Sequence, residues 1–242
     1  MSALLQNYAP YIETAERAVT LHAIKHGEMH DQSGLWIPGP LFWLWHCTET
    51  FDNHWLLKGL SSPYRPFPTH PYFPWMFWRM LYGLQNNRTV MFPKSREMMA
   101  SWSVMGFCTW ICQIYPQTRV VVQAQKEEKA AELVKGTEPP GYVRTLYERQ
   151  PQWLKEKYPI AVPHMSDLAS TKFAWANGSV IHAVGKGADQ VRQHHPTIYF
   201  CDEAAHVDDF EGSLAAAAPV TKLRIAVSSA GPGFFGDVCS EE

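Results

Sequence analysis

Thr197-Ile198-Tyr199-Phe200-Cys201-Asp202-Glu203 is the stretch whose reading decides the fold. Five apolar or β-prone residues are followed by two adjacent carboxylates. An apolar run of this length predicts a strand buried on both faces. Buried carboxylates are costly unless they are paired, hydrogen-bonded or holding a metal. At the C-terminal tip of a strand they stand at the crevice where open α/β sheets bind ligands. There one carboxylate could hold Mg²⁺ and the other could polarise an attacking water. The same residues also describe a strand that simply ends at a solvated Asp-Glu pair, so the flanking chain has to decide.

Outward from this stretch, strands and helices alternate. Arg88–Phe92, Arg119–Gln123 and Leu223–Val227 read as strands; Ser101–Tyr115, Lys126–Lys135 and Asp209–Ala218 read as helices. Tyr142–Tyr158 reads as a helix interrupted at Pro151. Lys172–Ala176 and Ser179–Val184 flank Asn177-Gly178, a pairing that predicts a hairpin with a tight type I′ turn. Gly185–Pro196 reads as a polar loop. This alternation predicts an α/β fold, a mainly parallel sheet flanked by helices.

The region before residue 88 is less regular. Residues 8–27 have the spacing of an amphipathic helix, and Trp36–Trp45 is an apolar run broken by Pro38 and Pro40. Residues 61–74 hold five prolines and read as a linker or ordered loop. Trp75–Leu84 is helical in pattern. Its aromatics Trp75, Phe77, Trp78 and Tyr82 read as a buried face rather than a base-stacking platform. His46, Cys47, Asp52 and His54 lie close together but match no common metal-site spacing.

Composition narrows the function classes. Of 242 residues, 46% are hydrophobic, enough for a sizeable core, and the formal net charge is -2. No global basic field draws in nucleic acid, so any such contact has to be local or made by an assembly. Five scattered cysteines suggest reduced thiols and a cytosolic setting. Residues 1–20 lack the apolar core of a signal peptide, and no apolar run is long enough to span a membrane.

A phosphate cradle would complete the acidic strand tip. The usual Gly-x-x-x-x-Gly-Lys-Ser/Thr loop is absent, with no glycine between Gly83 and Gly106. Between the first strand and the next helix stands Pro93-Lys94-Ser95-Arg96-Glu97-Met98-Met99-Ala100-Ser101-Trp102. It has two cations and a hydroxyl at a helix start, where free N–H groups and the positive dipole end favour phosphate. Lys94 opens the loop instead of preceding the serine, and its long stem could still reach β/γ-phosphates.

In this order, these segments resemble the ATPase motor domain of the bacteriophage terminase large subunit, over roughly residues 64–238. Lys94-Ser95 through Ser101 resembles that family's deviant Walker A loop, and Ile198–Glu203 its Walker B strand. Ser228-Ser229-Ala230 resembles its coupling motif. The stretch from Phe173 through Asn177-Gly178-Ser179 to Arg192 resembles the segment before Walker B. The sequence departs from the pattern at Met98, Met99 and Ala100, where phosphate loops usually have glycine, and at Arg192-Gln193, where Arg-Gly is usual.

The resemblance implies a P-loop NTPase of the ASCE (RecA-like) class with ATP and Mg²⁺ as cofactors. It makes residues 1–60 an N-terminal helical extension and 61–242 the ATPase domain, with no nuclease domain and no nuclease activity expected. Lys94, Ser95, Arg96, Glu97, Met98, Met99, Ala100 and Ser101 would cradle phosphates, with Ser228 and Ser229 sensing them. Ser101 and Asp202 would bind Mg²⁺, and Glu203 would orient the hydrolytic water. Arg96 in cis or Arg192 on a neighbour would act as the finger. Arg65 and Pro66–Tyr72 would flank the adenine.

The implied role is packaging of double-stranded DNA into a viral procapsid by a homo-oligomeric ring, monomeric in isolation, with a portal protein and the terminase small subunit as partners. The implied location is the cytoplasm of an infected bacterium, with no membrane and no place in the mature virion. A helicase-like translocase and a non-catalytic nucleotide-binding or scaffolding domain with a degenerate loop are the alternatives. Asp202-Glu203-Ala204-Ala205-His206 is similar to a helicase box, but its histidine falls one place late and no second lobe follows.

Overall fold

A computed structural model describes residues 3–29, 34–136, 138–229, 231 and 233–240, with side chains from residue 14 onward. Helix α1 (Ala3–His26) leads to a short pair, β1 (Glu28–Met29) and β2 (Trp36–Ile37). Helix α2 (Gly39–Cys47), hairpin β3 (Glu49–Phe51) and β4 (Tyr64–Pro66), and helix α3 (Tyr72–Gln85) follow. The α/β part then runs β5 (Thr89–Pro93), α4 (Ala100–Ile114), β6 (Arg119–Gln123), α5 (Glu127–Val134), α6 (Tyr142–Glu148) and α7 (Gln152–Lys157). It ends with β7 (Lys172–Ala174), β8 (Val180–Val184), α8 (Ala188–His194), β9 (Ile198–Asp202), α9 (Phe210–Ala217), β10 (Leu223–Ser228) and α10 (Phe234–Ser240).

The main sheet has the order β5-β10-β9-β6-β8-β7. All its pairings are parallel except the antiparallel β7–β8 edge. This is the mainly parallel, helix-flanked sheet that the alternation predicts. β10 inserts between β5 and β9, so the loop after β5 and the acidic tip of β9 face each other across one strand. Ile198, Tyr199, Phe200 and Cys201 are all fully buried, which explains why the stretch shows no polar alternation. One face carries Phe92, Val122, Ile181 and Phe200 against α2, α3, α4 and α6. The other carries Val121, Val184, Tyr199 and Ala226 against α8 and α9.

Four expectations change. Trp36–Trp45 is not a broken run: Pro38 is the N-cap of α2 and Pro40 lies in its first turn, where a missing N–H is harmless. Within Gly185–Pro196 lies α8, whose single buried apolar residue, Val191, is too little to show periodicity. The β7–β8 turn is not type I′, since only Gly178 has a positive φ, 85°. Asn177 instead donates its amide to Cys112 O (2.9 Å) and Gln113 O (3.1 Å), capping the end of α4. Finally, the aromatics of α3 are split. Phe77 is buried, while Trp75, Trp78 and Tyr82 are 56%, 44% and 56% exposed. Phe73, Met76, Phe77 and Met80 make the inward stripe, and helical spacing alone did not say which of two apolar stripes faces the core.

The first 60 residues are tied to the rest by more than α1. Helix α2 packs on α4, where Gly106 meets the Leu44 side chain at a distance that admits no Cβ, and the hairpin partner of β3 lies at Tyr64–Pro66. Among the described residues, no helix is long and apolar enough to cross a membrane.

His182 of β8 stacks on His194 of α8, with ring centroids 4.4 Å apart. Burial, then His194, Lys172 and Arg119, push the His182 imidazole down to about 4 from an ordinary 6.5. The unfolded chain therefore binds a proton between those pH values that the folded chain refuses, so stability is lost as pH falls from 6.5 towards 4. The ring is half-buried, and solvent screening reduces the effect to on the order of 1 kcal/mol. Urea midpoints at pH 7 and pH 4.5 should differ less in His182→Phe than in the unsubstituted chain. An equal drop in both would show that the pair carries no such linkage.

Candidate active site

The C-terminal edge of the sheet gathers the three segments that the sequence singles out. From β9, Asp202 accepts a hydrogen bond from the Ser101 hydroxyl at 2.6 Å. Ser101 lies in the first turn of α4, whose N-cap is Met99, so the hydroxyl serves the carboxylate and not the helix end. Burial pushes the Asp202 carboxyl up to about 6 against the opposing pull of Ser101.

Glu203 is bound on both oxygens. Lys94 Nζ stands 2.8 Å from Oε1. Ser229 donates its backbone N–H (3.3 Å) and hydroxyl (3.2 Å) to Oε2, and the Ser228 hydroxyl lies 3.5 Å away. Burial raises the Glu203 carboxyl, but Lys94 and Ser229 outweigh it and hold it below the ordinary value. The Lys94 side chain is 12% exposed, so this pair is sheltered on the lysine side. Lys94 N–H also donates to Ser228 O at 2.9 Å, pinning the front of the loop to β10. Ala230, the last residue of the Ser-Ser-Ala motif, lies outside the described residues.

The loop wraps without glycine by forcing other residues into the left-handed region. Glu97 and Met99 have φ of 64° and 54°. Glu203 has φ 49°, which turns the chain sharply after Asp202 and aims its carboxylate back at Lys94 and Ser229. Each such residue costs on the order of 1 kcal/mol or more, a strain that concentrates at functional sites.

Two cavities meet at the acidic pair. One of about 250 Å³ lies under the loop and is lined by Lys94, Met99, Ala100 and Ser101 with Asp202 and Glu203. The other, about 430 Å³, is lined by Asn53, Gln125, Lys129 and His206 with the same two carboxylates. Tyr142 borders both and stacks on Trp102 at 3.9 Å, nearly parallel at 8°. Burial, then the nearby Asp202 and Glu132, push its phenol up to about 12.

Mg²⁺ fits the donors present: it is commonly held by one or two carboxylates and completed by phosphates and waters, and Ser101 and Asp202 already converge. Among the described residues, no group of three or more His, Cys, Asp or Glu side chains suits a metal by itself. The region at 46–54 accords with that, since Cys47 is buried in the core, His46 packs on Phe42 and Asp52 pairs with Lys58 at 2.8 Å.

Not every sequence candidate converges. Ser95 and Arg96 are exposed and line neither cavity. Arg192 lies on α8, paired with Asp189 at 3.1 Å, and lines neither cavity. The proline-rich stretch does reach the loop: Tyr72 OH donates to Met98 O at 2.9 Å, and His70 stacks on Tyr72.

No protein-family description matches the chain, and no curated protein does. Among solved structures it is similar to the HK97 bacteriophage large terminase, at 15% identity and a TM-score of 0.46, over 68% of this chain and 34% of that one. It is also similar to the ATPase domain of the Thermus phage P74-26 large terminase, at 15% identity and a TM-score of 0.43, over 77% of this chain and 72% of that one. The chain thus spans about a third of the length of the HK97 protein.

Sequence reasoning missed Trp102, Tyr142, Asn53, Gln125 and His206. Trp102 follows Ser101 directly and His206 closes the Asp202–His206 stretch, so these two were visible without a role; Tyr142, Asn53 and Gln125 reach the site from segments with no motif of their own.

The left-handed Glu97 gives a direct test. It is exposed, so Glu97→Gly removes strain without removing packing. We expect the substitution to raise folding stability by about 0.5–1 kcal/mol in urea unfolding, and Glu97→Val to lower it by more than that. A lower stability for the glycine variant would contradict a strained loop.

Proposed function

We propose that the chain is an ATP-hydrolysing motor domain that drives double-stranded DNA into a viral procapsid. The observation that carries the reading is the convergence of Ser101 on Asp202 and Lys94 on Glu203 at neighbouring strand tips, across the motif at Ser228-Ser229. Sequence motifs in that order, on a parallel sheet with a strand inserted between the loop strand and the acidic strand, support it further.

In this reading the triphosphate enters under the 94–101 loop. Lys94 then exchanges its carboxylate partner for β/γ-phosphate oxygens. Phosphate at the start of α4 also meets free N–H groups and the helix dipole. Mg²⁺, held by Ser101 and Asp202, would neutralise charge on the phosphate oxygens. Released from Lys94, Glu203 orients the attacking water toward the γ-phosphate and accepts its proton. Ser228 and Ser229 hold the far oxygen of Glu203, so the state of the γ-phosphate is felt at the end of β10 and beyond it. Arg96 or a neighbour's Arg192 supplies the finger. Arg65 and Pro66–Tyr72 flank the adenine, and Tyr72 ties that stretch to the loop. Residues 61–242 act as the ATPase domain and 1–60 as an extension. A ring of copies, a portal protein, a small subunit and the cytoplasm of an infected bacterium complete the proposal.

The experiment is ATP turnover with Mg²⁺, with and without duplex DNA, at high protein concentration. Glu203→Gln should lower the rate by roughly two to four orders of magnitude while ATP binding persists. Lys94→Ala should weaken both binding and turnover. If the unsubstituted chain never exceeds the Glu203→Gln rate, the motor reading is wrong.

A further inference from the structure

The opposite edge of the sheet has a different character. Five connections lie there, residues 86–88, 115–118, 175–179, 195–197 and 218–222, and they contain no Asp or Glu. At the other edge carboxylates and cations mix: Glu97, Asp202, Glu203, Asp208 and Asp209 stand there with Lys94, Arg96, Lys126 and Lys186. The near-neutral net charge of -2 therefore conceals one edge whose connections carry cations and no carboxylate.

The carboxylate-free edge presents a row of cations. Arg88 precedes β5, Lys222 precedes β10 and Arg119 opens β6, and all three are exposed. Backbone bonds keep them level: Lys222 N–H donates to Thr197 O (2.9 Å), Thr197 N–H to Arg119 O (2.7 Å) and Arg224 N–H to Arg88 O (3.2 Å). With strands ~4.8 Å apart, the row from β5 to β6 spans roughly 14 Å. Among the described residues, none of the three has a carboxylate partner. His194 ends α8 beside Arg119 and stacks on His182, which lies two residues along β8 from the level of Arg119; burial first, then His194, Lys172 and Arg119, holds the His182 imidazole low.

Four helices, α3, α4, α8 and α9, end at this edge, each with roughly half a negative charge, so cations there could serve only to cap them. Other groups already cap three of the four. Asn86 donates to Tyr82 O, Asn177 to Cys112 O and Gln113 O, and Thr221 to Ala217 O. The buried Arg224 reaches Asn87 O (2.6 Å), Thr221 O (3.3 Å) and Ala218 O (3.4 Å). Arg88 and Lys222 are surplus to that work, while Arg119 stands near His194 at the one remaining end, that of α8.

We propose that this edge is a contact surface for the phosphate backbone of duplex nucleic acid. A row of about 14 Å matches roughly four phosphates along one strand, at 3.4 Å of helix axis each. Contacts of this kind attract without reading sequence. The choice of duplex DNA as the polyanion rests on the packaging reading; the surface itself rests on charge and topology.

The test is fluorescence anisotropy with a labelled random-sequence duplex of about 30 base pairs, from low to moderate salt. The Arg88→Gln, Arg119→Gln, Lys222→Gln triple variant should bind at least about tenfold more weakly, with a log–log salt slope shallower by about three. The corresponding triple glutamate variant should bind more weakly still. Far-ultraviolet circular dichroism and thermal midpoints check that both variants fold, and DNA-free ATP turnover should match the unsubstituted chain. Unchanged affinity and slope, no duplex binding at low salt, or preferential binding to phosphatidylserine vesicles would each overturn the inference. Turnover with charge-independent duplex binding sinks this proposal alone. Charge-dependent duplex binding without turnover sinks the motor reading alone.

Discussion

The structure depends on placing two adjacent carboxylates at the tip of a strand that is otherwise sealed from water. An ion moved into such a place loses several kcal/mol of hydration unless other groups replace it. Asp202 and Glu203 receive that replacement from different directions. Ser101 comes from the helix after β5, Lys94 from the loop before that helix, and Ser228 and Ser229 from the strand inserted between. The strand order makes this possible. With β10 between β5 and β9, one hydroxyl pair and one lysine bind the two oxygens of Glu203. The 94–101 loop is thereby tied, through one carboxylate pair, to two segments more than a hundred residues along the chain.

Much of this was legible in the sequence because it follows from local rules. A strand buried on both faces shows a continuous apolar run, as Ile198–Cys201 does, and the strands at 119–123 and 223–228 read the same way. The loop and acidic pair were legible as residue types in an expected order. What was not legible depended on tertiary packing. The prolines at 38 and 40 break a helix in its interior but favour one at its start, and only the neighbouring α4 fixes which applies. Trp75, Trp78 and Tyr82 form one apolar stripe of α3, and Phe73, Met76 and Met80 form another; the sheet takes the second. Tyr142 reaches the site from the far end of a cis-proline-containing connection, with no motif to announce it.

Charge was the least legible property. Composition gives a sum, and the sum is nearly zero. In a parallel sheet each strand has a start and an end at opposite edges, so connections that lack carboxylates but carry cations, when they share one edge, give that edge a positive field. Helix dipoles run the opposite way, with positive ends beside the acidic pair and negative ends beside the cations, so they partly offset the side-chain charges at each edge. The field is local at each edge and cancels over the whole chain. It emerges only after topology assigns each connection to an edge.

The position of Lys94 follows from the same geometry. The residue just before Ser101, where a phosphate-loop lysine usually stands, is Ala100, 4% exposed and packed into the core at the start of α4. A lysine there would have to leave the core across the first turn of the helix. At position 94 the lysine starts from a backbone already bonded to Ser228 and needs only to cross β10. Two strand spacings, ~10 Å, separate β5 from β9, more than a lysine stem spans by itself. The left-handed turn at Glu203 closes the remainder by bending the carboxylate back over β10. The lysine at the front of the loop and the strained glutamate are therefore one adaptation. A relaxed backbone at 203 would leave Lys94 without its carboxylate and Ser229 without its acceptor.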